Sequence, residues 1–137
     1  MPSEQTGPRR RERAGGVARK KGPIKVDLSV IEELANGDPA ELAGLIAMFN
    51  RHMADGIDQM RAAIGSRKFA SVAQVAHTCI GFTTTLGITA LVPTLRKLER
   101  ASKQGQTKGM ARWLAQWERE FEQARQALEA RMNRPGT

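Results

Sequence analysis

The chain is poor in the side chains that carry most chemistry: among 137 residues there is one cysteine, Cys79, two histidines, His52 and His77, and no tyrosine. A single cysteine excludes an internal disulfide framework and a multi-cysteine metal site, and it fits a reducing compartment. Long apolar runs are missing as well. No stretch approaches the ~18 consecutive apolar residues of a membrane span, and the arginines near the N-terminus have no apolar segment behind them, as a secretory signal would. A soluble, cytoplasmic protein with no membrane contact is therefore expected. Phosphate-cradling glycine loops and Ser/His/Asp constellations are also lacking, which argues against a turnover enzyme. Alternating β-branched runs are scarce, and 40% hydrophobic residues with only 4% aromatic ones suit a helix bundle.

The net charge is +8, but it is unevenly placed. Arg9, Arg10, Arg11, Arg13, Arg19, Lys20, Lys21 and Lys25 stand against Glu4 and Glu12 within residues 1–25, which leaves a net +2 for the remainder. Residues 1–24 show no apolar periodicity, so a basic, disordered tail is expected there. Such an arm suits acidic surfaces, yet no aromatic residue interleaves its charges as base stacking requires. Nucleic acid is accordingly not expected as a partner, and would be reached only through the tail. Residues 25–133 read as one helical domain, with a short C-terminal tail at 134–137.

Within that domain the apolar period is helical. "DLSVIEELA" predicts a short helix with Leu28, Ile31 and Leu34 inward, closed by Asn36-Gly37. Asp38 followed by Pro39 is an N-cap with proline at the first helical position. A long helix then carries Leu42, Ile46, Phe49, Met53, Ile57, Met60 and Ile64 as one stripe and ends at Gly65-Ser66. A third helix from near Lys68 buries Phe69, Val72, Ala76, Cys79, Thr83 and Leu86, widened by Val75 and Phe82, until Gly87 breaks it. A fourth, about 89–104, presents Leu91, Leu95 and Leu98, with Pro93 costing one backbone hydrogen bond. The last, about 108–132, buries Met110, Trp113, Leu114, Trp117, Phe121, Ala124 and Leu128. The expected fold is all-α: an antiparallel up-down-up-down four-helix bundle with the short N-terminal helix as a lid.

His77 departs from this pattern. At 100° per residue it falls about 160° from the centre of the apolar sector of its helix, facing water. Ala70, Ala73, Gly81 and Thr84 share its face. Glycine inside a helix costs ~1 kcal/mol relative to alanine, so Gly81 has no stability rationale on an exposed face; close approach by another molecule supplies one. His52 has no ligand partner beyond Asp55, which makes it a boundary residue and leaves no metal site.

"AHTCIGFTTTLG" resembles the signature of histidine phosphotransfer (HPt) domains of two-component phosphorelays, in which a histidine is followed by glycine four residues on and by Leu-Gly nine and ten on; here these are His77, Gly81, Leu86 and Gly87. The resemblance spans about residues 26–132, including "GDPAELAGLIAMFNRHM" and "LRKLERASKQG". It implies a phosphoryl carrier with His77 as phosphoacceptor, taking the group from an aspartyl phosphate on a receiver domain and passing it to a response regulator. Upstream it implies a hybrid sensor histidine kinase, and it implies Mg²⁺ on the receiver with no cofactor on this chain. By the same resemblance Glu99 orients the imidazole and Lys103 lies near the phosphate, with Gly81 and Thr84 as supporting positions. Ala73, Ile80, Arg96 and Arg100 would meet the partner, the cations suiting an acidic receiver pocket. A monomer is expected.

One position departs from the family. Lys or Arg usually stands three residues after the histidine, where this chain has Ile80, leaving a methyl-rich patch beside His77 in place of a cation. That departure favours an alternative, a degenerate adaptor that binds a receiver or kinase without transferring phosphate. Phe82, where the family prefers a small residue, is a lesser departure assigned to the core.

Overall fold

The structure, a computed structural model, describes residues 24–134. The expected disordered tail, apart from Ile24, lies outside the described residues, as do residues 135–137. The described part is helical throughout: α1 (Ser29–Ala35), α2 (Pro39–Gly65), α3 (Phe69–Thr85), a 3-10 turn (Thr89–Leu91), α4 (Val92–Lys103) and α5 (Met110–Asn133). α3 packs between α2 and α4, and α5 closes the ring against both. This is the expected four-helix bundle with a short N-terminal helix, which lies on α2. No helix among the described residues is long and apolar enough to cross a membrane.

The heptad-like stripes build the interior. Phe49, Met53 and Met60 of α2 meet Val72 and Ala76 of α3, Leu95 and Leu98 of α4, and Trp117 and Leu128 of α5 in one cluster of almost fully buried side chains. Gly56 lets the helices approach closely: a Cβ there would lie 2.6 Å from Cys79 Sγ and 3.3 Å from the Trp117 ring. Its missing side chain lets α2 seat against α3 and α5 together. Phe82, Trp113 and Phe121 form a half-buried rim.

Asp38 caps α2 as expected, its Oδ1 accepting from the Ala40 N–H at 2.9 Å. At the other end the left-handed residue is neither Gly65 nor Ser66 but Arg67, at φ 58°, and the Lys68 N–H closes the turn on the Ala63 carbonyl at 2.9 Å. α3 ends through Gly87, at φ 76°, with Ile88 N–H on the Thr83 carbonyl at 3.0 Å. A side chain at Gly87 would also strike Val30 of α1.

Two details correct the expected pattern. Leu34 faces solvent, 52% exposed, because a two-turn helix lying on α2 buries only the narrow strip from Ile31 to Ala35. Pro93 removes no bond from α4: the segment before Val92 is a 3-10 turn, so Pro93 occupies a first-turn position whose N–H has no helical partner in any case.

The N-terminal segment is tied to α5. The Ile24 N–H donates to Gln123 Oε1 at 2.7 Å, and the Arg131 guanidinium donates to Glu32 at 3.0 Å. These bonds fix α1 across the end of the bundle that carries Gly87, away from the middle of α3.

Candidate functional site

His77 stands at the middle of α3 with its side chain 76% exposed. Two threonines further along the helix bond back to the backbone of the turn that follows His77. Thr83 donates its hydroxyl to the carbonyls of Cys79 (2.8 Å) and Ile80 (3.1 Å), and Thr85 donates to the Gly81 carbonyl at 2.9 Å. Back-bonding of this kind gives the Cys79, Ile80 and Gly81 carbonyls a second donor and tends to bend a helix instead of stiffening it. The threonine run around Thr84 carried the signal for this in the sequence, but only the coordinates distinguish the two bonded hydroxyls from that of Thr84, which lies exposed.

α4 supplies the partner of the imidazole. Glu99 is 15% exposed, and its Oε2 lies 3.3 Å from His77 Nδ1 and 3.5 Å from Lys103 Nζ. One carboxylate oxygen therefore serves both a ring nitrogen and an ammonium. Helical spacing puts Glu99 and Lys103 one turn apart. Thr94, Leu95, Leu98 and Ala101 bury the other side of α4, which turns Glu99 toward α3. A ring protonated at Nδ1, beside the carboxylate, carries its lone pair on Nε2, the nitrogen then able to act as a nucleophile.

The surroundings divide by charge. Arg96, Arg100 and Lys103 line an open depression with Glu99 on the α4 side. Gly81 is exposed, and a Cβ built on it would meet nothing within 4 Å, so no neighbour in this chain requires a glycine there. Ala73, one turn before His77, is half-buried.

Ile80 is the exception among the expected partner-facing residues. It is 8% exposed and part of the core cluster, so it offers no methyl-rich patch to a partner. The wheel places it on the same side of α3 as Ala76, at the edge of the packed interior, and bundle closure covers it. His52 is exposed and its ring stacks on Phe82 with centroids 4.0 Å apart and planes 11° apart, a pairing that spacing along either helix does not reveal. Among the described residues no cluster of three or more His, Cys, Asp or Glu could hold a metal ion.

The sequence profile of the Hpt domain matches residues 44–127, well over half of the chain. The protein belongs to the Hpt domain family. Its fold is similar to that of histidine-containing phosphotransfer protein B (HptB) from Pseudomonas aeruginosa PAO1, with a TM-score of 0.73 at 21% identity over 80% of this chain and 96% of that one. At that identity the likeness speaks for the fold alone. No curated protein matches by sequence. Membership makes this Hpt domain a histidine phosphotransfer protein of phosphorelay signalling, a family of carriers and not of classical enzymes.

Proposed function

We propose that His77 accepts a phosphoryl group from the aspartyl phosphate of a receiver domain and returns it to the aspartate of a response regulator, with a hybrid sensor histidine kinase at the head of the relay. The observation that carries this reading is the exposed imidazole with Glu99 Oε2 at 3.3 Å from its Nδ1. In the step, the Nε2 lone pair attacks phosphorus, the bond from phosphorus to the aspartyl oxygen breaks, and the aspartate leaves as a carboxylate. The ring gains positive character as the N–P bond forms, and the Glu99 carboxylate lies where it offsets that charge. Mg²⁺ on the receiver would neutralise the transferring oxygens, so this chain needs only to align its nucleophile.

Lys103 is the cation of the cluster, and Arg96 and Arg100 flank it; together they favour encounter with an acidic receiver surface. The open face left by Ala73, Gly81 and Thr84 accommodates the receiver's approach. We place the relay in the cytoplasm, with the protein monomeric and the carrier turning over no substrate of its own. The chain's lack of a cation at position 80 favours a second reading, an adaptor that binds a receiver without transfer.

Transfer of radiolabel from phosphorylated receiver domains of the source organism to the wild-type protein and to His77→Gln tests this. Label on wild type alone, stable to alkali and lost in acid, supports the carrier. Receivers that bind but pass no label to the wild type support the adaptor.

A further inference from the structure

Among the described residues, Glu120 of α5 is the one acid in the buried core, 9% exposed. Its Oε2 accepts from Thr94 Oγ1 on α4 and from Gln116 Nε2, both at 3.0 Å, whereas its Oε1 is buried without a hydrogen-bond partner. No salt bridge engages it among the described residues: Lys97 on α4 and Arg119 on α5 act only at longer range, and Arg61 of α2 is taken by Glu118 and Asp58. An uncompensated anion is expensive in such a place; a neutral carboxyl costs less, although its Oε1 still lacks a partner.

Thr94 lies in the first turn of α4, which has no acidic residue and no side-chain cap of its own. The same helix carries Glu99 five residues on, at the His77 ring. We propose that the Glu120 carboxyl is a titrating latch between α5 and α4, and that its ionisation shifts how α4 presents Glu99 to His77. Glu120 is thus a positioning residue acting through α4. Burial pushes its ionisation above the ordinary glutamate range, opposed by the bonds from Thr94 and Gln116. The native state then holds this proton more firmly than the unfolded chain, so stability falls as pH rises through the window above the ordinary value.

The inference concerns helix geometry and stands whether or not phosphoryl transfer occurs. Its test is NMR of the full chain with carboxyl-labelled glutamate, titrated alongside the α4 amides, on wild type, Glu120→Gln and Thr94→Val. The Glu120 carboxyl is expected to titrate above the other glutamates, and the amides of Thr94, Leu98 and Glu99 to show an inflection at the same pH. Glu120→Gln should abolish that inflection and open a gap in Tm over wild type that widens with pH. Thr94→Val, which removes a donor to the charged form, should move both inflections upward. If Glu120→Gln does not fold, the wild type and Thr94→Val still decide the matter. A Glu120 signal that titrates with the other glutamates, or α4 amides that ignore it, overturns the proposal.

Discussion

Glu99 Oε2 sits 3.3 Å from His77 Nδ1 across the α3–α4 seam, in a side chain only 15% exposed. The half-buried carboxylate thus lies beside the exposed ring. Glu99→Leu removes that acceptor and should slow phosphoryl transfer roughly tenfold, the equivalent of ~1.4 kcal/mol of lost orientation. Glu99→Gln keeps an acceptor oxygen and should stay within about threefold of wild type. Single-turnover transfer from a phosphorylated receiver distinguishes the two.

Gly81 separates stability from function. A methyl group fits there without contact, so Gly81→Ala should raise stability by ~1 kcal/mol in urea denaturation. Gly81→Leu should be at least as stable as wild type yet transfer more slowly, because the added side chain stands where the receiver approaches. Unchanged transfer by the leucine variant would leave this glycine without a role in docking.

Ile80→Lys brings a cation to the position where the family usually has one, but Ile80 is 8% exposed. The substitution should cost about 2 kcal/mol in urea denaturation, since the lysine must leave a hole in the core and extend its stem to reach water. Equal stability of the two proteins would place Ile80 at the surface after all.

Cys79 lies under Gly56, and burial pushes its thiol up to about 11. The native thiol should therefore react with alkylating agents only as fast as the chain opens. An acid whose folded value is raised stabilises the native state below the unfolded value and loses that contribution above it, so stability should decline between about pH 9, the ordinary thiol value, and about pH 11. Cys79→Ala should flatten that decline and tolerate Gly56→Ala better than wild type does, which double-mutant denaturation can measure.

Much of this was legible in the sequence where one helix decides the outcome. The stripe from Leu42 to Met60, the Asp38-Pro39 start, the Gly87 stop and the outward direction of His77 all follow from periodicity and caps. What spacing along one helix does not contain is the neighbour's position. The burial of Ile80 depends on bundle closure, the exposure of Leu34 on how narrowly α1 rests on α2, and the His52–Phe82 stack on the register of α2 against α3. Glu120 falls on the Trp117–Ala124–Leu128 stripe by spacing, but the hydroxyl of Thr94 that bonds it comes from another helix. The pairing of Glu99 with His77 came from the family resemblance; the shared oxygen with Lys103 came from the coordinates.

The most direct measurement of the central claim is the site of phosphorylation within the ring. Histidine-labelled protein phosphorylated by a receiver domain, observed by correlated phosphorus and nitrogen NMR, should show one N–P bond, at Nε2 of His77, with Nδ1 still bearing its proton beside Glu99. A bond at Nδ1, or at His52, would contradict the account.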